Sequence, residues 1–311
     1  MEKMKLILDT DIGDDIDDAL ALALALEMPE VELLGVTTVF IDTDKRARIA
    51  KKLLELWGCE APVYAGLSSG ITSDQSPCQY TPDLAAAEYA PVNAPRADQG
   101  AGAVDFLVES ARKYGAQLTL VAIGPLTNVA AAIRKDPESM RGIRIVLMGG
   151  CFYRQFNEWN IYCDSAAAGT VLDGNQNVTC IGLEVTNQTE LNDAQQRRIM
   201  SAETDEKRRY LSLLVRLHHQ ATNRRAVLHD PLTLYYAVHP EILTTENILV
   251  KVETKGEYTA GMTVNMDEMY HYLPEPLPGK RLTVGKTVQA ERFIREFLDI
   301  VFPESAGQTE Q

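Results

Sequence analysis

The chain is short of cysteine, of positive charge and of long apolar runs, and each shortage removes a class of protein. Five cysteines (Cys59, Cys78, Cys151, Cys163 and Cys180) are scattered over 311 residues. None sits in a CxxC pair, and an odd number cannot close into a disulfide framework, so a small disulfide-stapled secreted fold is excluded and a reducing compartment is expected. The longest apolar stretch, Ala19 to Leu26, spans eight residues, against the roughly 20 that a membrane-spanning helix needs. The leading segment, Met1 to Asp9, is too short in its apolar part for a signal peptide. A soluble, cytoplasmic protein is expected, without membrane contact. Lys and Arg number 30 against 44 Asp and Glu, a net charge of −14, which repels a phosphate backbone and argues against nucleic acid as a partner. Apolar residues at 45% and charged residues at 24% match ordinary globular chains, so disorder is excluded.

What is present is an alternation of strand and helix patterns. Met4 to Leu8 is a short apolar run suited to a strand buried on both faces, and Asp17 to Glu27, rich in Ala and Leu, reads as a helix with acids in its first turn. Val31 to Val39 follows as a strand, then Lys45 to Trp57 as a helix ending at Gly58, with Trp57 on its core side, and Pro62 to Ala65 as a strand. The pattern resumes with helix Val104–Tyr114, strand Leu118–Ile123, helix Thr127–Arg134, strand Ile143–Met148, helix Ser165–Leu172 and strand Val178–Leu183. Such alternation predicts an α/β fold, an open and mostly parallel sheet with helices on both faces, and sites at the carboxyl ends of its strands. Residues 66–102 lack periodicity and read as a binding loop or lid. Residues 189–227 are charged helix with Leu211, Leu214, Val215 and Leu217 on one side, expected to pack outside the sheet. No linker or internal repeat divides the chain, so one domain over 1–311 is expected, with a mostly helical segment at about 189–240.

Six aspartates, Asp9, Asp11, Asp14, Asp15, Asp17 and Asp18, surround Gly13 between the first strand and the first helix. Carboxylates held this close repel one another unless protonated or neutralised. A cation is the simple remedy, and ligands that are all oxygen favour a hard ion, Ca²⁺ or Mg²⁺. The competing reading is a solvated acidic turn that caps the helix. A phosphate cradle is excluded, because the loop has one glycine and six acids.

Other segments carry weaker signals. His229-Asp230-Pro231 opens a helical stretch, and Asp before Pro is a common helix cap. Gly124-Pro-Leu-Thr-Asn128 follows a strand end and reads by itself as turn punctuation. Met148-Gly-Gly150, Asn157-Glu-Trp-Asn160 and Cys163-Asp164 place carboxamides, an acid and an indole together, which suits a polyol and a flat ring.

Taken in order, these motifs resemble the nucleoside hydrolases, the inosine-uridine preferring N-ribohydrolase family. The residues that carry the likeness are Asp9-x-Asp11-x-Gly13, Asp17-Asp18-Ala19, Gly35-Val-Thr-Thr-Val39, Gly124-Pro-Leu-Thr-Asn128, Leu147-Met-Gly-Gly150, Glu158-x-Asn160-Ile161, His229-Asp230-Pro231 and Gly261-Met-Thr-Val264. The resemblance implies a Rossmann-like nucleoside hydrolase fold, and Ca²⁺-dependent hydrolysis of the N-glycosidic bond of a ribonucleoside to ribose and free base. It implies homodimers or homotetramers as well. It marks Asp11 as general base and metal ligand, Asp18 and Asp230 as further metal ligands, the Ile123 main-chain carbonyl as another, and Asp17 as the acid on a ribose hydroxyl. Met148, Glu158 and Asn160 would line the ribose, and Trp159 and His229 would face the base. His229 is either the acid that protonates the leaving base or a structural hydrogen-bonding group.

Departures from the family pattern are equally specific. Three residues, Asp14, Asp15 and Ile16, stand between Gly13 and Asp17 where the family often has one, so either Asp14-Asp15 or Asp17-Asp18 could supply the ion. Asp42 stands near the sugar position where many members have Asn, and Asn157 is the nearest counterpart to a family Asn that contacts the 5′ hydroxyl. Base preference stays open. Two rivals remain: a Mg²⁺-dependent phosphatase like the haloacid dehalogenases, because Leu8-Asp-Thr-Asp11 follows a strand, and a non-catalytic nucleoside- or sugar-binding protein.

Overall fold

In the computed structural model, residues 2–70, 102–174, 177–269 and 280–304 are described. Strand β1 (Met4–Thr10) has Leu6, Ile7 and Leu8 wholly buried, the signature of a strand covered on both faces. It pairs in parallel with β2 (Val31–Thr38) on one side and β4 (Leu118–Ala122) on the other, so Asp9 lies opposite Thr37 and Ala122. Beyond β2 lies β3 (Val63–Ala65); beyond β4 lie β5 (Arg144–Met148) and β6 (Val178–Ile181). The strand order 3-2-1-4-5-6 reverses direction at β1, and in such sheets a crevice opens at the strand carboxyl ends where the order reverses.

The sheet continues through β9 (Arg281–Val288), parallel to β6, then β7 (Leu243–Val252) and β8 (Thr263–Asn265), which add an antiparallel edge. Among the described residues the sheet has nine strands. The expected mostly parallel α/β architecture is therefore observed, with an antiparallel extension that the alternating pattern did not announce.

Two apolar layers cover the sheet. One face carries α1 (Asp17–Glu27), α2 (Thr43–Trp57), α11 (His229–Val238) and α13 (Ala290–Val301), packed through Leu20, Leu53, Leu234 and Phe293 on Leu6, Leu8 and Val121. The other carries α3 (Ala103–Tyr114), α4 (Thr127–Lys135) and α7 (Ser165–Gly174), packed through Leu107, Val129 and Val171 on Ile7, Leu120 and Ile145. Between them in sequence come α5 (Pro137–Arg141), α6 (Trp159–Cys163), α8 (Leu183–Thr186), α9 (Asp193–Met200), α10 (Glu206–Thr222) and α12 (Met266–Met269). Leu183, expected to end a strand, instead opens α8. The 189–227 segment forms α9 and α10, whose Ile199, Leu211, Leu214 and Val215 join the first layer. Trp57 is half-buried and donates Nε1–H to Glu27 at 2.9 Å, a core-side position. Among the described residues no helix is long and apolar enough to cross a membrane. Most of the 66–102 loop lies outside the described residues.

Candidate active site

The end of β1 is committed to holding acids. Asp9 is fully buried; it accepts hydrogen bonds from the Thr37 hydroxyl and from Asn128 Nδ2 at 2.8 Å, and burial pushes its carboxyl up to about 7. Asn128 also donates to the Thr38 carbonyl at 3.0 Å and accepts from Leu67 N–H at 2.9 Å. The Gly124-Pro-Leu-Thr-Asn128 turn thus does more than punctuate: its last residue ties β1, β2 and the Gly66 loop together. A Cβ on Gly124 would stand 2.8 Å from Asp11 Oδ1 and 2.9 Å from Asp11 N, so only glycine lets the chain after β4 pass behind Asp11.

After Asp9 the acids separate by role. Asp14 turns to Arg46 Nη2 at 2.7 Å, and Asp15 Oδ1 lies 3.6 Å from His218 Nε2. Asp17 and Asp18 occupy the first turn of α1 without capping it: Ile16 is the N-cap residue, with no side-chain cap bond. Likewise Asp230 does not cap α11, whose N-cap position is Leu228. These carboxylates face each other instead. Oxygen atoms of Asp17, Asp18 and Asp230 all lie within 4.8 Å of one another, with the residues 3%, 4% and 4% exposed. The Asp230 N–H donates to Asp17 Oδ2 at 3.2 Å, and the Thr10 hydroxyl donates to Asp18 Oδ1. Two helix N-termini, those of α1 and α11, point at the cluster, and their partial positive charge favours anions there.

That field is insufficient alone. Burial, and then the charges of Asp11 and Asp17, hold the Asp18 carboxyl well above the usual range. Asp230 is raised by burial and by Asp17, Asp18 and Asp11; Asp17 by burial and Asp15. Asp11, on the same cavity, is raised by burial and lowered by Arg46. Carboxylates so crowded, out of water and built wholly of oxygen donors, fit a hard divalent ion.

The cavity above this cluster has a volume of about 550 Å³. Ile123, Met148, Glu158, Asn160, Trp159 and His229 line it. Asn160 Nδ2 donates to the carbonyls of Ile123 at 2.9 Å and Met148 at 3.2 Å. Glu158 caps α6, accepting the N–H groups of Asn160 (2.9 Å), Gly150 (3.0 Å) and Ile161 (3.2 Å); burial raises its carboxyl while these bonds oppose the rise. His229 Nδ1 meets Thr186 Oγ1 at 2.8 Å, and burial depresses its basicity while the charge of Asp15 opposes the shift. Trp159, 41% exposed, meets Phe40 edge-on and Tyr162 at a tilt, which fixes the indole at the cavity mouth.

Two expected residues stand apart. Asp42 caps α2 through Lys45 N–H, and Asn157 donates Nδ2 to the Ala260 carbonyl at 2.8 Å; neither lines the cavity. The Gly261-Met-Thr-Val264 segment, carried by the β8 edge, secures the neighbouring turn, with Thr263 Oγ1 bridging the Cys151 N–H and carbonyl. Conversely, the cavity includes Phe156, Leu183, Asn187, His218, Thr222 and Arg224, which motif reading left aside. His218 is buried beside Asp15. Of these, His218 and Thr222 lie on α10, whose apolar spacing marked a core-facing side; the others left no signal in the sequence.

Comparison with known proteins agrees with this geometry. The pattern of the inosine-uridine preferring nucleoside hydrolases matches residues 6–295. A uridine nucleosidase of Arabidopsis thaliana is 32% identical, covering 81% of this chain and 79% of its own. A non-specific ribonucleoside hydrolase of Salmonella enteritidis is 34% identical, over 84% of this chain and 87% of its own. The solved purine-preferring ribonucleoside hydrolase of Gardnerella vaginalis superposes with a TM-score of 0.79 at 31% identity, covering 96% of this chain and 98% of that one. With its motifs gathered around one acidic crevice, the chain belongs to the inosine-uridine preferring nucleoside hydrolase family.

Proposed function

We propose that the chain hydrolyses the N-glycosidic bond of ribonucleosides, releasing ribose and free base, with Ca²⁺ as its ion. The observation that carries this reading is the meeting of Asp17 and Asp18 with Asp230, 213 residues on from Asp17, at the floor of a cavity sized for a small molecule. Asp18, Asp230, Asp11 and the Ile123 carbonyl would hold the ion, with Asp17 beside them toward the sugar. When bound, the ion neutralises the crowded carboxylates and acidifies a water molecule.

The chain's own groups supply the rest. Asp11, on the cavity beside the ion, is placed to take a proton from the attacking water. Asp17 accepts from a ribose hydroxyl, while Glu158 and Asn160 orient the sugar. The acids around the reacting carbon favour the positive charge that develops there as the bond to the base breaks. Trp159 and Phe156 offer flat apolar surface to the base. His229 stands with one ring nitrogen on Thr186, leaving the other available toward the leaving group.

Neither rival gains a specific observation. Among the described residues no lysine lines the cavity, which a phosphotransfer site of the dehalogenase type needs, and its six aspartates and glutamate repel a phosphate ester. A soluble enzyme of the cytoplasm, assembled as a homodimer or homotetramer, completes the proposal. Ribose release measured over purine and pyrimidine nucleosides tests it: the reading requires turnover of at least one nucleoside, abolished in Asp11→Ala. Tight nucleoside binding without release would identify a binding protein instead.

A further inference from the structure

Behind the acid loop, outside the cavity, lies a buried cation. Arg46, on α2, is 1% exposed. Its Nε donates to the Phe40 carbonyl at 2.7 Å, Nη1 donates to the carbonyls of Asp11 and of Ile12 (the latter at 3.2 Å), and Nη2 donates to Asp14 Oδ2 at 2.7 Å. One guanidinium therefore grips three carbonyls on two segments and a carboxylate. Phe40 and Ile41 have φ of 73° and 60°, a conformation that bulky residues hold only where their surroundings fix it. The Phe40 ring lies 5.9 Å from the guanidinium and meets the Trp159 ring edge-on at 6.4 Å. A continuous path runs from the Asp11 main chain through Arg46 and Phe40 to the indole at the cavity mouth.

The path reaches the acid loop itself. Asp14 and Asp15 lie between Gly13 and Asp17, on a stretch that has backbone freedom to lose when it is fixed. Arg46 restrains it from behind at Asp14, while Asp15 lies against His218 in front. We propose that Arg46 is a positioning residue for hydrolysis, holding the acid loop and, through Phe40, the Trp159 wall in one fixed relation. The inference rests on the nucleoside hydrolase reading of the cavity. Arg46 touches no substrate; it acts through the placement of Asp11 and Trp159. Lysine cannot replace it, because a single ammonium lacks the planar fork that spans these acceptors.

Three variants test the role: Arg46→Lys, Arg46→Ala and Asp14→Asn. Each is read by circular dichroism and Tm for folding, by calorimetric Ca²⁺ titration, and by kcat and KM for ribose release. Folded Arg46→Lys is expected to lose about 10- to 100-fold in Ca²⁺ affinity and in kcat/KM, the scale set by groups that orient metal ligands, with the kinetic loss chiefly in kcat. Asp14→Asn is expected to fall in the same direction by less. A folded Arg46→Lys with a lower Tm but wild-type Ca²⁺ affinity and kcat would reduce Arg46 to a structural role and overturn the proposal. Should both Arg46 variants fail to fold, Asp14→Asn decides, and wild-type Ca²⁺ affinity and kcat there would likewise overturn it. If the wild type itself releases no ribose, the functional reading fails, and the Ca²⁺ titrations still decide whether Arg46 positions the loop.

Discussion

The main-chain N–H of Asp230 donates to Asp17 Oδ2 at 3.2 Å, across 213 residues of sequence. That bond joins the first turns of α1 and α11 at the point where Asp18 also arrives, so neither helix can shift without moving the cluster. Folding has brought like charges together, at a cost in stability that the proposed ion would offset.

Replacing one of these acids should therefore have opposite effects on stability and function. In metal-stripped protein, Asp230→Asn removes repulsion and is expected to raise Tm by a few degrees. In excess Ca²⁺ the wild type gains about 2.7 kcal/mol at a concentration 100 times the Kd, and the variant gains little. Differential scanning calorimetry with chelator and with Ca²⁺ checks both signs; a variant stabilised by Ca²⁺ as strongly as the wild type contradicts the assignment.

Gly124 sets the position of Asp11. A methyl group there meets Asp11 main-chain and side-chain atoms and Val39 at 2.8 to 2.9 Å, so the backbone must yield. Gly124→Ala is expected to fold but to lose about 100-fold in kcat, the usual consequence of displacing a reacting group by an ångström. An unchanged kcat in the folded variant would show that the close approach is incidental.

Glu158 binds three main-chain N–H groups with its two oxygens. In Glu158→Gln one end of the side chain becomes an NH₂ facing donors, leaving at least one buried N–H unpaired, at a cost of about 1–3 kcal/mol. Urea unfolding measures the cost, and a rise in KM is expected alongside it because the α6 start, with Asn160, is loosened. A variant as stable as the wild type would contradict the capping role.

Acid sensitivity has a local contributor on the far side of the sheet. Asp136 caps α5, and the Ser139 N–H, the Arg112 guanidinium and the Ser139 hydroxyl together hold its carboxyl below the usual range. The folded value is thus lower than the unfolded value of about 4, so the contribution is present above that pH and lost as pH falls through the folded value. The Tm difference between wild type and Asp136→Asn should favour the wild type at neutral pH and shrink in acid. A difference independent of pH would place the effect elsewhere.

Much of the fold was legible because the core strands are apolar on both faces, as in Leu6-Ile-Leu8, and because glycine and proline mark the strand ends. The antiparallel edge was not: β7, with Glu246 and Asn247 exposed or half-exposed between buried residues, lacks the uniform apolar run of a central strand. In the site, the acids stood out since a cluster of six has no cheap structural use. Asp42 and Asn157 carried the same chemistry but spend it on a helix cap and a main-chain carbonyl, which spacing does not reveal. Arg46 escaped because a lone arginine in a charged helix looks like a solvated residue, and its burial depends on the neighbouring loop curling back over it.

In the proposed reaction, acids from the first loop and from α11 hold the ion at which a nucleoside is cleaved. Ribose release by chelator-treated protein as Ca²⁺ is added back, for the wild type and Asp18→Asn, tests this. No release is expected in chelator, with saturable recovery in the wild type and none in the variant. Full activity in chelator, or recovery in Asp18→Asn equal to the wild type, would contradict it.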